Sequence, residues 1–303
     1  MIVSRITPNL IADRTLVDIN QQLARIAQYQ ERLATGLRVN RPSDDPIAAS
    51  RAINARIELQ KNARFTGNIQ DLGPTLGDAE NALHGITEVF HRAQELTVQA
   101  ANGTNSQAQL DSIALEIDSL LESAFATANT RSNGRSIFAG TRTLSDAFGA
   151  TRVGGEITAV TYNGNNNLIS VDIAAGSQVS ANIPGSTAFQ GTADIFQTLI
   201  GLRDDLRAGN RANVQNVRLG QVQASLVQSL FISARIGATQ NRLDLVSNGL
   251  QDGDVRLQKL LSEKIEADYA DTVLHLNIAQ NSYTAALNAA GRVFESSLID
   301  FLR

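Results

Sequence analysis

Both ends of this 303-residue chain impose the same requirement, an apolar seam too narrow to bury itself. Near the start, Leu16, Ile19, Leu23, Ile26 and Leu33 alternate spacings of three and four once Gln30 takes one slot. A helical stripe of that width needs a partner helix. Near the end, Ile265, Tyr269, Thr272, Leu276, Ala279, Tyr283, Ala286, Ala290 and Val293 repeat the pattern, alternating large with small as close-packed helices prefer. Two coiled-coil formers at opposite ends of one chain imply a bundle to which both termini contribute.

Between them, Phe65, Ile69, Leu72, Leu76, Ala79, Leu83, Ile86, Phe90 and Ala93 form a longer seam, in which Gly73 and Pro74 predict a kink or a short break. A turn cluster at 100–107 precedes a third helical segment carrying Leu110, Ile113, Ile117, Leu120 and Leu121 on one face. From about residue 133 glycines become frequent and helical periodicity fades, and β-branched residues then alternate with polar ones around Asn163-Gly164, which reads as a hairpin turn. Helical periodicity returns after about 190. The fold class is therefore mainly α with an inserted β-rich domain, an elongated helical bundle built from both chain ends. It divides into terminal coiled-coil assembly segments (1–40 with 265–303), a helical core (41–139 with 192–264) and an inserted β-rich outer domain (140–191).

The stretch LATGLRVNRPSDDPIAASRA at 33–52 closes the first helix and opens the second. Gly36 suits the left-handed residue that ends a helix, and Leu37 the apolar follower that folds back on it. Pro42 steers Arg41 out of helical geometry, and Asp45 before Pro46 reads as an N-cap with a first-turn proline, Asp44 adding charge at the positive helix end. An ordinary helical hairpin with Arg38, Arg41, Asp44 and Asp45 solvated would satisfy the same spacing.

Composition narrows the function classes. A net charge of -4 and 5% aromatic residues give neither a basic face nor stacking rings for nucleic acid. No apolar run approaches a membrane span, and MIVSRITPNLIADR lacks the apolar core of a secretory signal, so neither membrane insertion nor signal-peptide export is expected. Without cysteine there are no disulfides, thiolate metal sites or cysteine nucleophiles. His84 and His91 are seven residues apart, about 10.5 Å along a helix and too far to share a metal, and His275 has no companion. Neither HExxH, GxSxG nor a P-loop string occurs, and Asp204-Asp205 and Asp252-Gly253-Asp254 lack the remaining ligands of a site. No enzyme, cofactor or metal reading has an anchor.

The string GLRVNRPSDDPIAASRA at 36–52 resembles the corner and second-helix start of the bacterial flagellin superfamily. Its Asn-Arg-Pro-Ser-Asp-Asp-Pro core and the closing SLIDFLR at 297–303 look more like the hook-filament junction branch than like filament flagellin. QELTVQAANGTNSQAQLDSIALEI at 94–117, RIGATQNRLD at 235–244 and ADYADTV at 267–273 are similar to that superfamily in the same order, leaving the β-rich middle unmatched. The resemblance implies an axial building block of the flagellum that self-associates in a ring, touches a neighbouring hook-associated protein and flagellin, and is exported by a type III route with a chaperone holding its C-terminal segment. It also implies an assembly interface in which Leu16, Ile19, Leu23, Ile26 and Leu33 face Leu276, Tyr283, Leu287, Phe294 and Leu298, while Arg38, Arg41, Pro42, Asp44, Asp45 and Pro46 meet other subunits. Three alternatives stay open: filament flagellin, a surface- or glycan-binding protein acting through its β domain, and an enzyme in the middle domain, which at about 50 residues without histidine or cysteine is poorly equipped for one.

Overall fold

The structure, a computed structural model, describes residues 8–301, without the side chains of residues 8, 9, 11, 12 and 292–301. It is mainly helical, with long helices from both chain ends and a small β-rich region between them. In chain order the elements are α1 (Pro8–Thr35), α2 (Pro46–Ala101), α3 (Gln107–Ala128), β1 (Arg131–Ser132), β2 (Arg135–Ser136), β3 (Phe148–Val153), β4 (Glu156–Tyr162), β5 (Ser170–Ala174), β6 (Ser177–Ser180), α4 (Gly185–Phe189), α5 (Ile195–Arg207), the single turn α6 (Arg211–Asn213), a π-helical turn at Val214–Arg218, α7 (Leu219–Ile265) and α8 (Tyr269–Phe301). They form two compact units, residues 1–60 with 252–303 and residues 61–251.

In the first unit α1 packs along α8. Among the described residues of α8 the buried ones are Thr272, Ala279 and Ala290, so small side chains let the two helices approach. A second small core gathers Val39, Ala48, Ala52 and Ile265, with Leu37, Ala49 and Leu261 packed against it.

The second unit has one large core. Leu83, Ile86 and Phe90 of α2, Ile117 and Leu121 of α3, Leu199 and Leu202 of α5 and Val222 of α7 join it together with Ile157 of β4, Ile173 of β5 and Val179 of β6. The strands thus fold onto the helical core and not around one of their own. Phe148 sits at the centre of an aromatic group, 5.4 Å from Phe189, 5.1 Å from Phe196 and 5.2 Å from Tyr162 between ring centroids. The buried guanidinium of Arg203 ties three elements, donating to Asp118 of α3 and to the Ile157 carbonyl of β4, each at 2.8 Å.

Two sequence expectations are corrected here. The short break at Gly73-Pro74 does not occur, since α2 runs unbroken through Pro74. Gly73 lacks the Cβ that would clash with the proline ring, and buried Leu72 and Leu76 hold the helix on either side. Nor does Asn163-Gly164 turn a hairpin. The β3–β4 reversal falls on Gly154-Gly155, both with positive φ (63° and 92°), as a tight two-residue turn demands. Asn163 instead extends the ladder, its N–H donating to the Ala147 carbonyl at 2.8 Å.

Candidate assembly corner

The corner between α1 and α2 is built from backbone geometry outward. Gly36 has φ +70° and its N–H closes the helix on the Arg32 carbonyl at 2.8 Å. The chain then runs extended against the turn between α7 and α8, where Leu37 and Glu266 make an antiparallel bridge. Arg38 N–H donates to the Ile265 carbonyl at 2.7 Å, and Ala267 N–H to the Gly36 carbonyl at 2.9 Å. The Arg38 side chain adds a bond to the Lys264 carbonyl at 2.6 Å and lies 3.6 Å from the Asp45 carboxylate.

The two aspartates hold the rest. Asp44 accepts from the backbone N–H of Arg41 at 2.9 Å and of Asn40 at 3.1 Å, and those bonds hold its carboxyl below the usual aspartate range. Asp45 caps α2 by accepting from Ala48 N–H at 2.9 Å, which, aided by the Arg38 guanidinium, lowers its carboxyl likewise. Pro46 is the first residue of α2 and costs it no hydrogen bond. Arg41 reaches Glu31 at 3.4 Å with most of its side chain in water, a pair that contributes little.

Ile19, Ile26, Leu33, Leu276 and Tyr283 are half-buried, while Leu16 (50%), Leu23 (43%) and Leu287 (43%) stand exposed. Leu287 lies four residues past Tyr283 and rotates to the flank, because the buried line on α8 runs through Ala279 and Ala290. Phe294 and Leu298 fall in the last turns of α8, and their side chains lie outside the described residues. Arg38 and Asp45 are brought together within the chain. Asp44 turns back on its own loop, where its carboxylate receives the amides of Asn40 and Arg41.

Two features escaped the sequence reading. One is the bridge to 264–267, which no local pattern could announce. The other is a line of exposed isoleucines on α2, Ile47 (69%), Ile53 (53%) and Ile57 (43%), beside a groove of about 190 Å³ lined by Val39, Pro42, Ile53, Arg56 and Ile265. Ala48, Ala52 and Ala55, spaced four and three, mark the buried face and could have shown that the isoleucines point elsewhere.

The two end helices pair, the corner is stapled to the turn at 264–267, and apolar side chains stand exposed around it. Residues 6–143 match the bacterial flagellin N-terminal helical region. Over that stretch the chain is similar to bacterial flagellins. Over 94% of its length it is 25% identical to flagellar hook-associated protein 3 of Escherichia coli (strain K12), covering 95% of that protein. It is also 27% identical to flagellin of Bacillus subtilis (strain 168), over 88% of each chain. Among solved structures, Bacillus cereus FlgL aligns with a TM-score of 0.58 at 25% identity, over 69% of this chain and 99% of that one. The flagellar junction protein FlgL from Legionella pneumophila has the same fold, with a TM-score of 0.61 at 16% identity over 71% of this chain and all of that one.

Proposed function

We propose that this chain is a structural protein of the bacterial flagellum, the adaptor at the hook-filament junction on which the flagellin filament assembles. The observation that carries this reading is the end-to-end similarity to hook-associated protein 3, which spans both terminal helices and the corner. Its work is assembly, in an extracellular location reached by type III export without a cleaved signal peptide. Among the described residues no helix is long and apolar enough to cross a membrane. Copies associate in a ring between a second hook-associated protein and flagellin, and a chaperone holds the C-terminal segment before export.

Within that reading the residues take separate roles. Arg38, Asp44 and Asp45 are occupied inside the chain and set the corner's shape. Contact with neighbours falls to groups left uncovered, Arg41, Pro42 and the isoleucines Ile47, Ile53 and Ile57 near the corner, and Leu16, Leu23 and Leu287 on the end helices. The three-part division, with terminal assembly segments, a helical core and an outer β-rich part, describes the same allocation of work.

Filament flagellin is the second reading, favoured by the match to the Bacillus subtilis protein over most of both chains. Electron microscopy of a deletion strain separates the two. The junction role requires hooks without filaments and flagellin monomer released into the medium. Normal filaments would exclude it, and absence of filaments without released monomer would favour the flagellin reading.

A further inference from the structure

On α7 the side turned away from the core carries Ala224, Val227, Phe231, Ala234 and Ala238, spaced three and four alternately and all exposed. Phe231 is 67% exposed, although a ring of that size contributes to stability mainly through burial. Leu230 beside it and Leu245, two turns past Ala238, extend the apolar surface. A stripe with this spacing is one half of a helix-helix seam.

The order of helices around the core of the second unit shows where the other half can come from. α2 lies beside α3 through the Arg92–Glu116 pair at 2.6 Å, and beside α7 through the hydroxyls of Thr87 and Ser229 at 2.9 Å. α5 packs along α3 and meets α7 where the hydroxyls of Thr198 and Ser225 lie 3.2 Å apart. α3 and α7 therefore occupy opposite corners, with Ile113, Ile117 and Leu121 of one and Ser225, Ile232 and Ile236 of the other turned inward. Their outer faces look away from each other. The outer face of α3 repeats the seam spacing in Ala108, Ser112, Leu115 and Ser119, all exposed, so that small side chains flank Leu115 (63%) where α7 sets small side chains around Phe231. Charge is complementary too: α3 carries Asp111, Glu116, Asp118 and Glu122 with no Lys or Arg, while α7 from residue 219 to 243 carries Arg235 and Arg242 with no carboxylate.

We propose that a second copy of this chain lays the outer face of its α3 along this α7 stripe, with Phe231 entering between the small side chains around Leu115 and the two arginines set against the acidic flank of α3. Opposite corners of one copy serve two different neighbours, so the contact is head-to-tail and, repeated, builds a ring or a helical array and not a closed pair. A seam of about four helical turns covers less than the ~800 Å² per partner of a standard stable interface, so the contact is weak alone, with a Kd of about 1 mM or above, and holds where further surfaces join it. It rests on the reading of this chain as an assembly protein and adds to the corner a contact made by the second unit.

The chain has no cysteine, so introduced thiols report the contact without background. The full chain carrying Ser119→Cys with Val227→Cys, held at about 1 mM and treated with a short bismaleimide, should give a ladder of dimers, trimers and longer products, because the two thiols of one copy face opposite ways. Adding Phe231→Asp should slow the linking about tenfold without lowering Tm, since that side chain is mostly in water, and Arg235→Glu should slow it severalfold. Three results would overturn the proposal: no products beyond those of the single-cysteine variants, Val227→Cys alone linking as fast as the pair, which would mean that α7 meets α7, or a ladder that neither Phe231→Asp nor Arg235→Glu alters. A ladder from a chain that does not join purified hooks would uphold this contact and exclude the junction role, so the two readings fail separately.

Discussion

The rings of Tyr29 on α1 and His275 on α8 lie face to face, 5.7 Å apart at their centroids with planes 10° apart. Arg32 adds its guanidinium over the same tyrosine at 5.6 Å. Stacks of this kind contribute about 0.5–1.5 kcal/mol beyond the area they bury. Tyr29→Ala should therefore accelerate amide exchange along residues 16–33 by up to about tenfold. Exchange unchanged from wild type would show that the stack does not hold the helix pair.

The two ends of the seam should respond differently to charge. Leu276 is half-buried against the partner helix, so Leu276→Asp places a carboxylate where it is poorly solvated and should loosen α1 in the monomer as well as prevent incorporation into hooks. Leu23 is 43% exposed in the single chain, so Leu23→Asp should leave monomer exchange near wild type and still prevent incorporation. Co-sedimentation with purified hooks, alongside circular dichroism, measures both. Incorporation of the two variants at wild-type levels would remove the seam from the interface.

Burial differs sharply between the units, and exchange should report it. Leu83, Ile86, Phe90 and Ala93 are wholly buried, whereas much of α1 presents one or both faces to water. Amides at 16–33 and 272–290 should exchange on the order of 100-fold faster than those at 76–97 in the isolated chain. Equal protection would mean that the end helices already belong to a closed bundle, and assembly through their uncovered faces would lose its basis.

Acid should open the corner. Asp44 and Asp45 both titrate below their ordinary value, held down first by the Arg41 and Ala48 amides, so their contribution is complete above about pH 4 and fades as pH falls through the lower folded values. NMR shifts of the Arg41 and Ala48 amides, followed from neutral pH downward, should change only below the normal aspartate range. The double substitution Asp44→Asn with Asp45→Asn should flatten that dependence, and an unaltered acid transition would assign it to other carboxylates.

Two glycines with positive φ should differ in cost. Gly140, at φ +67°, packs so closely on the Asn165 carbonyl that an added Cβ would collide with it, and Gly140→Ala should cost about 2–4 kcal/mol. Gly36, at φ +70°, has open space around it, and Gly36→Ala should cost about 1–2 kcal/mol from backbone strain alone. Thermal melts compare them directly, and similar losses would contradict the steric argument at Gly140.

What could be read from the sequence was local. Gly36 ended its helix and Asp45 with Pro46 began the next because caps depend on a few adjacent residues. The end helices announced themselves through spacing. The hydrogen-bond partners of Asp44, the amides of Asn40 and Arg41, were not legible because they converge only once the loop has curled. The uninterrupted passage of α2 through Pro74 depends on packing around Leu72 and Leu76, which outweighs a strong local preference. The buried line on α8 runs through Ala279 and Ala290, which the spacing already placed in the seam, while Leu287, named only through the resemblance, stands on its flank.

The bonds between the corner and the turn at 264–267 also set an order of events. Arg38 and Lys264 stand 226 residues apart in the chain, so the bond between them forms only once the whole intervening stretch has been made. A chain cut before Lys264 would keep its first helix but lack the carbonyls that receive Arg38, and α1 would have no α8 to pair with. The shape of the corner is thus written partly in the last forty residues, which lie nowhere near it in the sequence.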